Sequence, residues 1–559
     1  MKIERARGRY CYAVVPLTTE NTKHLSTLPG FSKWVGRRMF SPTGANIRHL
    51  QKYWPEAQWD KDCEYIIKEY VSSLKAAEDK IKFSVPENDD FMFETEPFDH
   101  QRKAFYMSRD KTNFALLMEQ GTGKTKVGLD TAAHLYANNK ITALVIIAPN
   151  GVHRNWLKNE VPVHLPEWCP RQCAFYYAGM NKKDKEDWSA VSGSTECLKI
   201  FAFNVEGFVS KKAQQFINKI MLSNDVLLIV DESSRIKRPG AKRTQFITKV
   251  GKRAKYRRIF TGTPVTKGPE DVYSQFKFLD PYILGYESFY SFRARYCVMG
   301  GYENRQIVGY ENVEELTKSI EGHSFRILKK DCLDLPDKIY QRAYVELSEA
   351  QRQLYNTMRD EYVAEYQDEA ISAPEAITRL LRLQQITCGW FPSDTPTPID
   401  EKNPRLETLK ELLSDIEGKV IIWARFRADL KAIEGLLGSL CVTYHGGVAN
   451  DARAYAVEAF QKDPKIRYFV GQPQSGGLGL TLTAATYAIY YSNSFDLETR
   501  LQSEDRCHRI GTTQNVTYID IEALRTVDGK IIKALRNKKN LADVITRDPR
   551  SIFMENCDA

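Results

Sequence analysis

The segment Phe-Ala-Leu-Leu-Met-Glu-Gln-Gly-Thr-Gly-Lys-Thr, residues 114–125, decides the fold of this chain. The apolar run 114–118 predicts a buried strand, and residues 126–136 have the pattern of a helix. A glycine loop between a strand and a helix, ending in Lys-Thr, is typical of a site that binds nucleotide phosphates. Lys124 would reach the outer phosphates, and the Thr125 hydroxyl would hold Mg²⁺. The residues of the loop expected to contact nucleotide are Gln120, Gly121, Thr122, Gly123, Lys124 and Thr125.

Composition limits the classes of protein that the chain fits. Its 559 residues suffice for roughly three to four domains, and 42% hydrophobic residues are enough for several packed cores. The net charge of +9 permits a nucleic-acid partner without requiring one. No apolar run approaches the ~18 residues of a membrane span, and the first residues lack the apolar core of a secretion signal. The 11 cysteines show no zinc spacing and fit reduced thiols, so we expect an intracellular protein.

Short apolar runs alternate with helical patterns in two parts of the chain. Leu144–Ala148 and Leu227–Val230 are examples in the first part, and Val420–Trp423 is one in the second. This alternation predicts α/β lobes with doubly wound parallel sheets. The predicted segments are a small α+β N-terminal module (1–85), a first α/β lobe (90–285), mainly helical insertions with a linker (286–400), a second α/β lobe (401–546) and a tail (547–559).

Two acids follow the predicted strand Leu227–Val230. Ligands of open α/β sheets lie at the carboxyl ends of strands, where Asp231 and Glu232 stand. Asp231 would hold Mg²⁺, and Glu232 would activate the water that attacks a γ-phosphate. Taken alone, such a pair is also typical of a strand end with solvated acids.

Two further motifs, a turn and a pair of arginines, can each be interpreted either as part of a nucleotide site or as an ordinary structural feature. Thr261 lies in the turn Phe260–Pro264, which could sense the state of a phosphate or be a simple turn. Arg506 and Arg509 are three residues apart, which would place them on one helix face. There they would stabilise charge on a phosphate bound by the facing lobe, or form a solvated basic face.

The order of these motifs resembles that of the Swi/Snf-type ATPases, a branch of the superfamily-two helicases. The similarity spans about three quarters of the chain, residues 95–525. Ser234 stands where that family usually has His, which leaves the family's histidine-mediated coupling in question. The other segments that carry the resemblance are Phe98–Gln101, Ala148–Glu160, Asp231–Lys237, Leu335–Lys338, Trp423–Phe426, Ser475–Leu482 and Cys507–Gly511.

The resemblance implies two RecA-like lobes that bind ATP and Mg²⁺ between them and track along duplex DNA. Catalysis would use Lys124, Asp231 and Glu232 from one lobe and two arginines, Arg506 and Arg509, from the other. DNA contacts would go mainly to phosphates and be largely independent of sequence. Further nucleotide contacts implied by the resemblance are Phe98, Gln101, Gly477 and Gln502. The implied DNA contacts are Trp156, Thr261, Ser475 and Gly479.

The N-terminal module resembles the HARP-type modules of annealing helicases, which direct the motor to branched DNA. Its aromatic residues Phe31, Trp34, Phe40 and Trp54 would stack on exposed bases, or would simply form the core of a tiny domain. We therefore expect a monomeric DNA translocase that remodels forks or anneals strands. A strand-separating DNA or RNA helicase is the alternative. The absence of recognisable chromatin-binding segments favours a bacterial or virus-infected cytoplasm over the nucleus.

Overall fold

The chain forms two units, residues 1–332 with 542–559, and residues 333–541. They are seen in a computed structural model. The structure describes residues 2–5, 11–14, 18, 20–21, 37–40, 44–61, 63, 84–86, 91–149, 152–177, 180, 182–265, 268–286, 288–300, 306–333, 335–368, 373–476, 480–493, 496–509, 512–529, 531–533 and 535.

The described part of the N-terminal module contains strands and a helix. Its four-stranded sheet has the order β3-β2-β1-β4, and the helix Gly44–Tyr53 packs on it. The strands are β1 (Lys2–Arg5), β2 (Cys11–Val14), β3 (Arg37–Phe40) and β4 (Gln58–Trp59). Trp54 is partly buried and packs against the buried cluster that includes Ile3 and Leu50, while its stacking on exposed bases stays a prediction. Phe31, Trp34 and the side chain of Phe40 lie outside the described residues.

The remainder of the first unit is built on a seven-stranded sheet with the order β13-β5-β10-β9-β6-β8-β7. All of its pairings are parallel. Every residue of β6 and β9 is buried, because helices cover both faces of such a sheet. The strands that follow the module are β5 (Asn113–Met118), β6 (Ala143–Ala148), β7 (Arg171–Tyr176), β8 (Leu198–Asn204), β9 (Val226–Asp231), β10 (Tyr256–Phe260), β11 (Cys297–Gly300), β12 (Gln306–Tyr310) and β13 (Ser324–Ile327).

Strands β11 and β12 pair with each other as an antiparallel hairpin outside the main sheet. Trp156–Glu160 is a π-helix, and Val205–Val209 and Ser233–Ile236 are 3₁₀ turns. The α-helices of this unit after the module are Asp99–Ser108, Lys124–Ala137, Val152–Asn155, Val161–His164, Lys182–Gly193, Lys211–Ser223, Lys242–Gly251, Glu270–Leu279, Pro281–Leu284, Phe289–Tyr296, Val313–Glu321 and Lys329–Cys332.

The second unit contains a six-stranded sheet, again entirely parallel, with the order β14-β19-β18-β15-β17-β16. Its strands are β14 (Lys338–Val345), β15 (Lys419–Trp423), β16 (Cys441–Tyr444), β17 (Tyr468–Gly471), β18 (Ala485–Tyr490) and β19 (Val516–Ala523). Its helices are Glu349–Asp368, Ala373–Thr387, Pro404–Asp415, Arg427–Leu437, Asn450–Lys462, Pro473–Gly476 and Leu497–Glu504, with a 3₁₀ turn at Gly438–Leu440.

The side chains of strand β15 show that this sheet is covered on both faces. Val420 and Ile422 belong to one hydrophobic cluster, and Ile421 and Trp423 belong to another. Alternate residues of a strand point to opposite faces, so each face carries its own core. The predicted class, two α/β lobes with doubly wound parallel sheets, is confirmed by the two sheets.

The middle of the chain, predicted as mainly helical insertions over 286–400, also contains strands. Strand β13 extends the first sheet beside β5, and β14 forms an edge of the second sheet beside β19. The division between the units falls after Cys332. Strand β14 alternates between exposed and partly buried residues, as an edge strand does, so it lacks the continuous apolar run used to recognise the other strands. In the described part of the chain, no helix is long and apolar enough to cross a membrane.

Candidate functional site

The predicted phosphate loop connects β5 to the helix Lys124–Ala137. Gly121 and Gly123 have φ of 78° and 89°, a left-handed conformation that glycine adopts without strain. The Thr122 hydroxyl donates to the Glu119 carbonyl over 2.7 Å and closes the loop. Among the described residues no side chain caps this helix, so its first N–H groups face the loop and suit an anion.

Lys124 lies inside the loop. Its side chain is 8% exposed, and Nζ donates to the carbonyl oxygens of Met118 and Glu119 over 2.9 and 3.2 Å. Both acceptors lie at the end of β5, and they hold the ammonium at the carboxyl edge of the sheet. A phosphate that reached this edge would meet a preplaced positive charge.

Asp231 ends β9, two strands away from β5 in the sheet, and its carboxylate has two donors. Oδ1 accepts from the Glu232 N–H over 2.9 Å, and Oδ2 accepts from the Trp156 indole Nε1 over 2.8 Å. Burial raises the pKa of Asp231, while the Trp156 hydrogen bond and the charge of Lys124 lower it. The two hydrogen bonds therefore favour the ionised form that a metal ion needs.

The donors on this edge suit Mg²⁺. The Asp231 carboxylate and the Thr125 hydroxyl are hard oxygen ligands, and Mg²⁺ takes only a few of these from protein while phosphates and water complete its shell. Within the described ranges, no group of three or more His, Cys, Asp or Glu side chains could hold a metal ion by itself. The residues thus fit a magnesium ion that arrives together with a phosphate ligand.

Glu232 is joined directly to the phosphate loop. Its Oε1 accepts a hydrogen bond from Gln120 Nε2 over 2.9 Å. Its backbone has φ of 49°, a left-handed conformation that costs a non-glycine residue about 1–3 kcal/mol and is concentrated at functional sites. The structure therefore brings the second acid and the phosphate loop, which are 112 residues apart, to hydrogen-bonding distance.

The residues Phe98–Gln101 approach the other side of the loop. Gln101 Nε2 donates to the Thr122 carbonyl over 3.1 Å, and His100 Nε2 lies 2.8 Å from the same oxygen. A Cβ atom on Gly123 would lie 2.1 Å from Gln101 Nε2, so this approach requires glycine. Gln101 supports the loop in this structure, and its contact with adenine, like that of the half-exposed Phe98, stays a prediction.

Two predicted DNA contacts are corrected by burial. Trp156 is 1% exposed, and its ring stacks on Phe260 at a centroid distance of 6.1 Å. Thr261 is fully buried, and its hydroxyl accepts from the Thr263 N–H. Neither side chain has a surface to offer to DNA. Trp156 instead holds Asp231, a role that the sequence did not indicate.

The second unit brings Arg506 and Arg509 to one backbone segment. Nη1 of each donates to the Leu480 carbonyl over 3.3 Å, and Arg509 also donates to the Thr481 hydroxyl over 2.9 Å. Arg506 Nε donates to the Gln502 carbonyl over 2.8 Å. The helix ends at Glu504, so the two arginines lie in the turns after it and not on a helix face as predicted. Arg506 is buried, whereas Arg509 is the more accessible of the two.

Comparison with known proteins shows the family of the chain. The family model described as the SNF2-related domain matches residues 67–389, more than half of the chain. The chain belongs to the SNF2-related family. A second model, the helicase conserved C-terminal domain, matches residues 404–511 of this SNF2-related protein. The predicted membership in the Swi/Snf-type ATPases is thereby confirmed.

Individual relatives of the SNF2-related protein are distant. The bovine "DNA annealing helicase and endonuclease ZRANB3" is 26% identical over 77% of this chain and 38% of its own length. The Xenopus tropicalis "SWI/SNF-related matrix-associated actin-dependent regulator of chromatin subfamily A containing DEAD/H box 1" is 21% identical over 79% of this chain and 49% of its own length. The solved "Sulfolobus solfataricus SWI2/SNF2 ATPase core in complex with dsDNA" is 21% identical, covers 84% of this chain and 96% of that one, and has a TM-score of 0.38. The SNF2-related chain thus spans well under half the length of its annealing-helicase relative.

Some predicted positions of this SNF2-related protein lie outside the described residues. Gly477 and Gly479 belong to an undescribed segment, as does the side chain of Ser475. Their contacts with nucleotide and DNA stay predictions. Gln502 is described and buried, and its Nε2 donates to Glu498 over 3.1 Å, while its nucleotide contact is likewise untested.

The second unit of the SNF2-related protein also holds a small cavity, with several polar side chains in its lining, that the sequence did not reveal. It lies at the carboxyl ends of β15, β17 and β18. The guanidinium of Arg425 donates to Gln384 Oε1 over 2.9 Å, no carboxylate of the described residues pairs with it, and burial lowers its pKa. Such a guanidinium is suited to an anionic group. The lining residues are Arg425, Gln472, Pro473, Gln474, Tyr490, Ser492, Asn493, Thr499 and Arg500.

Proposed function

We propose that this protein is a DNA-dependent ATPase that translocates on duplex or branched DNA. The observation that carries the proposal is the hydrogen bond between Gln120 of the phosphate loop and Glu232, since it joins the phosphate site to the proposed base at one sheet edge. A loop with two left-handed glycines, a buried lysine and two acids at the same edge of the sheet is suited to bind and hydrolyse a nucleoside triphosphate.

The roles of the residues follow from their positions. Lys124 neutralises charge on the outer phosphates, and Glu232 orients a water and accepts its proton. Asp231 and Thr125 would hold Mg²⁺, which when bound would neutralise phosphate charge. Arg506 and Arg509 are the proposed source of the further positive charge that γ-phosphoryl transfer requires.

Two observations support DNA as the partner: the positive net charge of the chain and its similarity to a DNA annealing helicase. The net charge is +9, and the bovine relative is by its name a DNA annealing helicase. Binding through phosphates would fall steeply with salt and depend little on sequence.

Annealing or fork remodelling is the finer part of the proposal. It depends on the annealing-helicase kinship and on the N-terminal module, whose resemblance to HARP-type modules stays a prediction. A monomeric state and an intracellular location, in a bacterial or virus-infected cytoplasm, are predictions of the same standing.

The test compares ATP turnover with single-stranded, duplex and forked DNA and with RNA at one stated salt concentration. We expect duplex and forked DNA to raise kcat and RNA to have little effect. Strand annealing and strand displacement are then measured on the same forks, because displacement without annealing would favour the helicase alternative. A Glu232→Gln variant is the control for contaminating ATPase. Turnover that no DNA raises would refute the proposal.

A second experiment addresses the module. Deletion of residues 1–85 should leave stimulation by plain duplex in place and weaken the preference for forks. If the truncated and full-length proteins prefer forks equally, the module has no part in recognising them.

A further inference from the structure

A buried chain of hydrogen bonds starts at the residue after Glu232. The Ser233 hydroxyl donates to Gln275 Oε1 over 2.6 Å, and Gln275 Nε2 donates to the carbonyl oxygens of Pro264 and Asp271, each over 2.8 Å. Ser233 and Gln275 are both fully buried. The chain thus runs from the acidic motif at the end of β9 to the turn Thr261–Pro264 at the end of β10.

Packing alone does not account for a glutamine at position 275. It lies on the helix Glu270–Leu279 between buried apolar neighbours such as Val272 and Phe276. Burying an amide is unfavourable unless its hydrogen bonds are made, and here its oxygen and its nitrogen are both used. The three bonds also permit only one orientation of the amide, because a flip would place its oxygen against two carbonyl oxygens.

The turn at the far end of this chain touches the phosphate loop. A Cβ atom on Gly262 would lie 3.0 Å from the backbone nitrogen of Gln120, so the two backbones are in close contact. Gln120 in turn donates to Glu232. These contacts therefore form a closed circuit within the first unit. Its members are Glu232, the adjacent Ser233, Gln275, the turn Thr261–Pro264 and the phosphate loop.

We propose that Gln275 is a positioning residue that couples the turn Thr261–Pro264 to Glu232. A shift of the turn pulls on the Gln275 amide and, through Ser233, on the backbone that sets the direction of the Glu232 carboxylate. This inference rests on the proposed function, in which DNA raises turnover, and names the residues through which a shift of the turn would reach the proposed base. The Ser233–Gln275 bond also offers a link next to position 234, where serine stands in place of the histidine of the resembled family.

The experiment measures kcat for ATP with and without duplex DNA, together with the KM for ATP, in wild type, Ser233→Ala and Gln275→Leu. Ser233→Ala removes a single oxygen and leaves Gln275 hydrogen-bonded to Pro264. This variant therefore tests the coupling even if Gln275→Leu folds poorly. We expect the ratio of stimulated to unstimulated kcat to fall about tenfold in both variants, as for a lost buried hydrogen bond, with KM for ATP changed less than about twofold. The double variant should be no worse than Gln275→Leu, because both changes break one link.

Gln214→Leu is the matched control. Gln214 lies in the same unit and its amide donates to the Phe208 carbonyl over 2.8 Å, away from the circuit, so its ratio should equal that of wild type. An unchanged ratio in Ser233→Ala, or equal losses of stimulated and unstimulated rates, would overturn the coupling alone. A wild-type rate that DNA does not raise would overturn the proposed function and the coupling with it.

Discussion

Replacing Trp156 with Phe removes one hydrogen bond from Asp231 and keeps an aromatic ring in place. The lost bond runs from the indole Nε1 to Oδ2 over 2.8 Å between two buried side chains. The other carboxylate oxygen keeps its bond from the Glu232 N–H. A phenyl ring can preserve the stacking on Phe260, so the change acts mainly on the carboxylate.

The size of the effect follows from the charge on the acceptor. Burial raises the pKa of Asp231 and the indole bond lowers it, so the variant's carboxyl holds its proton to higher pH. A hydrogen bond to a charged group contributes about 1.5–3 kcal/mol, and each pH unit of displacement corresponds to 1.36 kcal/mol. Even the lower figure means about tenfold fewer ionised Asp231 groups at a pH on the acid side of the profile.

The assay is the pH dependence of kcat/KM for ATP at saturating DNA and at one fixed, limiting concentration of Mg²⁺, because saturating Mg²⁺ would displace the proton from Asp231 in both proteins. Because the proposed mechanism needs ionised Asp231, we expect the acid limb to move to higher pH while the rate on the plateau stays close to that of wild type. Trp188→Phe is the control, since Trp188 is buried in the same unit among Phe201, Phe203 and Phe216. An acid limb that does not move, or that moves equally in both variants, would refute the reasoning.

Three other outcomes are expected. Lys124→Ala should abolish ATP turnover because the outer phosphates lose their preplaced ammonium; phosphate release near the wild-type rate would remove Lys124 from the site. Arg509→Ala should lower kcat by ~10³, as for an arginine that stabilises phosphoryl transfer, and an unchanged kcat would contradict this role. Burial raises the pKa of Asp130 to about 7, so the stability that its protonated form contributes is full below the unfolded-state pKa and is lost as pH rises toward 7. Asp130→Asn should remove this contribution, up to about 1.4 kcal/mol per pH unit between about pH 4 and 7, in urea unfolding; an unaltered pH slope would show that Asp130 does not titrate in that window.

The sequence by itself determined the elements that depend only on residues close together in the chain. The strand before the phosphate loop, its left-handed glycines and the helix after it are set by an apolar run, by the conformational freedom of glycine and by helical spacing. The same holds for β9 and the acids at its end. Because parallel strands place their carboxyl ends along one edge, the sequence was sufficient to predict that Lys124 lies near Asp231 and Glu232.

Tertiary structure alone decided the contacts that tune this edge. Trp156 lies 75 residues from Asp231, and Ser233 lies 42 residues from Gln275. Neither pair can therefore be recognised from a short stretch of sequence. An edge strand such as β14 is recognised by its partner β19 and not by its own half-exposed pattern. Burial likewise turned Trp156 from an expected DNA contact into the support of a carboxylate, since the exposure of a side chain depends on what packs over it and not on its neighbours in the chain.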